Sequence, residues 1–242
     1  MKRMLDQAMV DQGLARTRTQ ANSLIKLGLV KVNQNIASRA DFQIGETDII
    51  RLLVSEQYVS RAALKLASVA KILKLDFRDK VVLDVGSSTG GFTDFALQHG
   101  ASKVIAVEVG SDQLHSDLRG DKRIELHEQT DIRNVRKLSA GVDLILIDVS
   151  FVSLRDILPS VSLLANQTTQ ILAMFKPQFE AGDSHKNKGI VKNDKLRRGS
   201  MHDFEDWLRL SAFTVIDKAD SKIAGAMGNQ ERFYLLKLVR SH

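Results

Sequence analysis

The 242-residue chain is 43% hydrophobic, carries a formal charge of +6 and contains no cysteine. That content supports a packed core, in one large domain or in a medium domain with a small companion. The lack of cysteine excludes disulfides, thiol catalysis and cysteine-ligated zinc, and it fits a reducing compartment.

The N-terminus, Met1-Lys2-Arg3-Met4-Leu5-Asp6, has charge but no apolar stretch behind it, so no secretory signal is expected. No window reaches 18 uninterrupted apolar residues, so no transmembrane helix is expected and the protein reads as cytoplasmic. Leu5, Met9 and Val10 at helical spacing predict a short helix stopped by Gly13. Thr17 is placed to cap a second helix from Arg18 to Leu27, with Gly28 as its stop. Leu29–Asn33 alternates and Gly45–Leu52 is rich in β-formers, which completes a small α+β module over residues 1–53. Residues 54–59 read as a linker, and 60–242 as the main domain.

A helix is predicted over Ser60–Leu75. Apolar runs at Val81–Val85, Lys103–Val107, Asp143–Ile147 and Ile171–Phe175 then alternate with helix-length segments, including Phe92–Gln98. This is the pattern of an α/β fold with a largely parallel sheet. Phe213–Ile216 and Phe233–Val239 are expected to finish it as an antiparallel pair.

In such sheets ligands bind beyond the carboxyl ends of the strands. Asp84, Glu108, Asp148 and Lys176 all fall at such ends. Asp84 opens the turn Asp84-Val85-Gly86-Ser87-Ser88-Thr89-Gly90-Gly91-Phe92-Thr93, whose glycines let a backbone approach a ligand closely. Ser88 stands where a dinucleotide fingerprint needs its second glycine. The Gly86–Gly90 stretch also fits a hydrolase nucleophile elbow, but no downstream histidine has an evident triad setting. An acidic residue before the glycine turn favours an S-adenosylmethionine site, with Glu108 placed to accept both hydroxyls of the adenosine ribose.

Five segments then occur in order: Tyr58–Leu66, the Asp84–Thr93 turn, Ile147-Asp148-Val149-Ser150-Phe151, Phe175-Lys176-Pro177-Gln178-Phe179-Glu180 and Gly228-Asn229-Gln230-Glu231. Together they resemble the TlyA family of ribosomal RNA methyltransferases, a branch of the FtsJ-like 2′-O-methyltransferases. The N-terminal module resembles the S4-type RNA-binding domain through Leu5-Asp6, Gly13, Arg16–Ala21, Gly28 and Val30–Asn33. The resemblance implies a Rossmann-like methyltransferase sheet that binds S-adenosylmethionine through Asp84, Gly86, Ser87, Ser88, Thr89, Gly90, Gly91, Phe92, Thr93, Glu108, Asp131 and Asp148, with no metal. It also implies a catalytic tetrad of Lys65, Asp148, Lys176 and Glu231. A ribose hydroxyl attacking a methyl sulfonium needs alignment and help in losing its proton rather than a covalent intermediate. Taken singly, Lys65 is a surface lysine and Glu231 a partner for Arg232; taken jointly with the glycine turn, the four favour catalysis.

Two basic stretches suit an anionic partner. Residues 1–39 carry seven Lys/Arg against two Asp, and residues 181–200 carry six against two. Arg3, Arg16, Arg18 and Lys31 in the first, Arg61, and Lys186, Lys188, Lys192, Arg197 and Arg198 in the second are expected to contact RNA phosphates. The family likeness implies a cytidine of ribosomal RNA as target, in the large subunit, since little chain follows Val239. A membrane-active cytolysin, a label borne by relatives, and a non-catalytic RNA-binding protein are the alternatives.

Overall fold

The computed structural model describes residues 3–15, 17–26, 28–53, 58–180, 194–223, 225 and 228–239, without the side chains of Thr19, Ser23 and Lys26. Its contacts divide the chain into two units, Met1–Arg61 and Ala62–His242. Most of the expected linker, residues 54–57, lies outside the described residues, as does Leu27.

The first unit holds β1 (Arg3–Met4), α1 (Leu5–Asp11), α2 (Arg18–Lys26), β2 (Val30–Val32), β3 (Asn35–Ile36), β4 (Gln43–Ile44) and β5 (Ile50–Leu52). Leu5, Ala8 and Met9 of α1 and Ala21, Leu24 and Ile25 of α2 are buried, as their helical spacing requires. Thr17 Oγ1 accepts from Gln20 N at 3.1 Å, capping α2. Strands β3, β2 and β5 form one antiparallel sheet, and β1 pairs with β4. Asp6, buried on α1, accepts from Arg18 Nε at 3.0 Å and Asn22 Nδ2 at 3.0 Å, so one carboxylate ties the two helices together.

The second unit holds α3 (Arg61–Ala70, its first residue in the first unit), β6 (Val81–Val85), α4 (Gly91–Gln98), β7 (Lys103–Val107), β8 (Ile124–His127), β9 (Leu144–Ile147), α5 (Leu154–Ser162), β10 (Gln170–Phe175), α6 (Pro177–Glu180), α7 (Asp194–Arg209), β11 (Phe213–Asp220) and β12 (Arg232–Leu238). Its seven strands lie in the order β11-β12-β10-β9-β6-β7-β8. Strands β10 through β8 are mutually parallel, and β12 and β11 run antiparallel at one edge. The chain steps outward from β6 through β7 to β8, then returns to place β9 on the other side of β6. That reversal opens a crevice at the carboxyl ends of β6 and β9.

Alternate strand residues explain how the two faces are covered. Leu83, Val85, Ile145, Ile147, Phe175 and Tyr234 share one cluster with Leu158 of α5 and Phe204 of α7. The opposite face carries Val82, Leu146 and Phe233, with the ring of Phe92 from α4 centred 6.2 Å from that of Phe233.

Helix α3 and strands β8 and β11 differ from expectation. Helix α3 stops at Ala70, not Leu75: Lys74 takes a left-handed φ of +51°, and Leu75 N reaches back to Ala70 O at 2.9 Å. That closure is ordinarily made by glycine, so the sequence carries no stop signal there. Strand β8 was not expected, because its half-exposed Ile-Glu-Leu-His sequence lacks the apolar run of an inner strand. Strand β11 runs on to Asp220 through a register shift between Val215 and Asp217.

Phe204 is wholly buried, with ring centroids 5.2 Å from Phe175 and 5.3 Å from Tyr234. Phe204→Ala is expected to cost about 3–5 kcal/mol, read as a lowered urea midpoint with an unchanged slope. An unshifted midpoint would show that this cluster does not hold α7 to the sheet.

Candidate active site

The turn after β6 is shaped by two glycines with φ of +81° (Gly86) and +88° (Gly90). A Cβ on Gly86 would sit 2.8 Å from the Asp148 carbonyl oxygen, and one on Gly90 would lie 2.4 Å from a Leu118 methyl. The turn is therefore pressed against the end of β9 at a spacing only glycine allows. Ser88 also adopts positive φ (+47°), and its N–H donates to Glu108 Oε2 at 2.8 Å.

On one side of this turn lies a cleft of about 480 Å³, lined by Gly86, Glu108, Gln113, Asp131, Val149 and Phe151 among others. Glu108, at the end of β7, accepts from Ser88 N and Gly110 N at 2.8 Å each, which fixes its carboxylate while leaving lone pairs for a ligand. Asp131 caps a short turn by accepting from Arg133 N at 2.9 Å and pairs with the Arg133 guanidinium at 2.6 Å. Hydrogen bonds from Arg133 hold the Asp131 carboxyl below the usual carboxylate range.

On the other side is a smaller cavity of about 150 Å³, lined by Asp84, Ser87, Thr89, Gly91, Phe92 and Lys176, with Asp148 bordering both spaces. Asp84 is fully buried; its Oδ2 accepts from Thr93 Oγ1 at 2.7 Å, and its Oδ1 has no hydrogen-bond partner. Burial, aided by the nearby charge of Asp148 and opposed by the Thr93 hydrogen bond, pushes its carboxyl up to about 7. Ser87 Oγ is likewise buried without a hydrogen-bond partner.

The four residues expected to catalyse come together as two ion pairs. Lys176 Nζ lies 2.6 Å from Asp148 Oδ1 and donates to Ser150 Oγ at 2.8 Å. Lys65 Nζ, from α3, lies 2.5 Å from Glu231 Oε2. Both are close charge pairs that leave Asp148 Oδ1 and Glu231 Oε2 without an aligned hydrogen bond. Lys176 and Glu231 are buried, so each charge relies on its partner. Burial pushes the Glu231 carboxyl up, and Lys65 pulls against that shift. Asp148 and Lys176 also act on Glu231, so the two pairs feel each other's charge.

Sequence reasoning overlooked Ser150, Gln113 and Arg133. Ser150 closely follows Asp148 at a strand end, which was the available signal. Phe151 has φ of +65° and is 90% exposed, with its ring 5.1 Å from that of Phe179. A bulky residue in a left-handed conformation, standing open at the rim of a cleft, is a candidate functional position.

The expected RNA contacts scatter. Arg3 and Arg18 are exposed but paired, with Asp11 at 3.3 Å and Asp6 at 2.9 Å. Lys31 stands between Ile36 and Arg51 on the small sheet, Arg61 is half-buried at the start of α3, and Arg198 is exposed on α7. Arg197 departs from expectation: its side chain is only 14% exposed and its guanidinium is bonded to Asp220 and the Gln230 carbonyl, so it is an internal group. Arg16, Lys186, Lys188 and Lys192 lie outside the described residues. Among the described residues no cluster of His, Asp or Glu is arranged to hold a metal ion.

Residues 58–238 match the FtsJ-like methyltransferase model, and residues 4–50 match the S4 domain model. The chain is 42% identical to the 23S rRNA (cytidine-2′-O)-methyltransferase TlyA of Campylobacter jejuni, over 78% of its own length and 74% of the relative's. It is 34% identical to Hemolysin A of Brachyspira hyodysenteriae, over 94% of its own length and 96% of the relative's. A solved structure from Streptococcus thermophilus, provisionally designated a hemolysin, superposes with a TM-score of 0.74 at 34% identity, covering 99% of this chain and 90% of that one.

The Asp84 carboxyl gives the fold a pH signature. The native group holds its proton up to about 7, whereas an unfolded aspartate loses it near about 4. Folding takes up a proton across that window, so stability is full below it and declines as pH rises through it. The separation bounds the effect at about 4 kcal/mol. Urea denaturation from pH 4 to 8 is expected to show this decline in the native sequence and a flatter profile in Asp84→Asn. Parallel profiles would place the titrating group elsewhere.

Proposed function

The chain belongs to the FtsJ-like methyltransferase family, in its S4-bearing TlyA branch, and from that premise we propose that it transfers a methyl group from S-adenosylmethionine to the ribose 2′-hydroxyl of a cytidine in large-subunit ribosomal RNA. The observation that carries this reading is the pair of buried ion pairs, Lys176–Asp148 and Lys65–Glu231, set beside a cleft large enough for a nucleoside.

The residues present fit the cofactor. The Gly86 cradle leaves no room for a side chain against β9, so a ligand passing there contacts bare backbone. Glu108 is fixed at the end of β7 to accept from the ribose hydroxyls. The unpartnered Asp84 Oδ1 and Ser87 Oγ, on the side of the smaller cavity, suit the ammonium of the methionine portion. When bound, the cofactor supplies an electrophilic methyl on a sulfonium centre.

The chain supplies alignment and charge. Lys176 is steered by Asp148 and Ser150, and its ammonium contacts the 2′-oxygen and stabilises the charge that builds there as the hydroxyl proton passes to water. Lys65 and Glu231 orient the ribose from the other pair. Phe151 offers an exposed aromatic face for a base turned out of its helix, backed by Phe179. Arg3, Arg18, Lys31 and Arg198 contribute phosphate contacts, which position the RNA without choosing the nucleotide.

The hemolysin designation of two relatives is a rival reading. It requires insertion into a bilayer, and among the described residues no helix is long and apolar enough to cross one. The cleft and the ion pairs favour methyl transfer.

Labelled methyl transfer to purified unmodified ribosomal subunits, with nuclease mapping of the product, tests the reading. Label in a 2′-O-methylated cytidine of the large-subunit RNA is expected; label on the base, on protein or nowhere would overturn it. Lys176→Ala is expected to lower kcat at least about 10²-fold while S-adenosylmethionine still binds in calorimetry. Phe151→Ala is expected to slow transfer with cofactor affinity retained. Full activity in either variant would remove that residue from the mechanism.

A further inference from the structure

We infer that Arg197 is a positioning residue for Glu231, and that the clasp it forms with Asp220 sets the geometry of the Lys65–Glu231 pair. Glu231 immediately precedes β12, and each of its chain neighbours is tied to this clasp. Arg197, in the first turn of α7, donates from Nε to the Gln230 carbonyl oxygen at 3.1 Å and from Nη2 to Asp220 Oδ1 at 3.0 Å. Arg232, the residue after Glu231, brings its Nε to the same Asp220 oxygen at 2.6 Å. Asp220 and Arg232 are the last cross-strand pair of the β11–β12 hairpin. Two further bonds fasten the same stretch: Ser221 N to the Glu231 carbonyl at 2.9 Å, and Gln230 Nε2 to the Ser221 carbonyl at 2.7 Å.

The Glu231 carboxylate has little freedom to compensate if this backbone moves. It is 2% exposed and already 2.5 Å from Lys65 Nζ. On another side it is crowded by Gly225, where an added Cβ would fall 2.8 Å from Glu231 Oε1. A displacement at Gln230 therefore passes to the carboxylate and on to Lys65. The clasp also needs arginine specifically, because one planar guanidinium reaches two acceptors in fixed directions, which a lysine ammonium cannot reproduce. The neighbouring Arg198 is exposed, whereas Arg197 is turned inward.

The consequence for catalysis rests on the proposed methyl transfer, but the positioning itself can be read without it. In protein labelled with ¹³C at glutamate carboxyls, the Glu231 resonance is assigned by its loss in Glu231→Gln. Arg197→Lys is expected to shift the titration midpoint of that resonance while leaving the thermal midpoint of the domain within a few degrees. In the transfer assay at saturating RNA and cofactor, Arg197→Lys is expected to lower kcat roughly ten- to hundredfold. RNA affinity and its salt slope should be unchanged, and the variant should add no further loss in a Glu231→Gln background.

An unmoved Glu231 resonance would overturn the inference. So would a weakened RNA affinity with the salt slope reduced by about one and kcat intact, which marks a phosphate contact. An equal loss of kcat in the Glu231→Gln background would do the same, by exposing a general packing role. A native protein that transfers no methyl while its Glu231 resonance responds to Arg197→Lys would overturn the functional reading and leave the positioning in place.

Discussion

Burying four charges in one small space is the constraint on which the rest of the second unit depends. Two ammonium groups and two carboxylates sit where water is largely excluded, and the several kcal/mol of hydration each gives up is offset only by a partner held at contact distance. The members come from four places in the chain: α3, the end of β9, the end of β10 and the residue before β12. No local segment can hold them together. Only a fixed sheet, with β9 and β10 in parallel register and β12 antiparallel beside β10, brings these ends to the same crevice.

The glycine turn joins this cluster to the larger cleft. Gly86 packs on the Asp148 backbone carbonyl, so the turn that would cradle a cofactor rests on the main chain of the same residue whose carboxylate steers Lys176. Asp84, on the smaller cavity, carries an oxygen without a hydrogen-bond partner and a carboxyl raised by burial.

Much of this was legible in the sequence because the inner strands are short, continuous apolar runs ending in charged residues. Asp84, Glu108, Asp148 and Lys176 could be set at strand ends before any coordinates. What stayed hidden depended on groups distant in sequence. The stop of α3 at Ala70 rests on a lysine doing what glycine usually does, and β8 is too polar and too exposed to announce itself. Arg197 lies in a basic stretch whose composition suggests a solvated face, yet Asp220 and Gln230 draw it inward. A charge count registers a residue's sign and says nothing of which way it turns.

Charge pairing also shapes the basic face of the N-terminal unit. Arg18 keeps much of its surface open, but its guanidinium is gripped by Asp6, a buried carboxylate that also holds Asn22. Pairing does not cancel the excess of positive charge over residues 1–39, because the long-range field sums every charge, partners included. It changes what happens at contact. A free arginine must lose rotamer freedom to bind a phosphate, whereas one already clamped along a helix has lost that freedom on folding. The carboxylate weakens the attraction and, by the same bond, fixes the direction from which the remaining N–H groups can be approached. Such a clamped guanidinium gives up strength of anion binding and gains a fixed direction of approach.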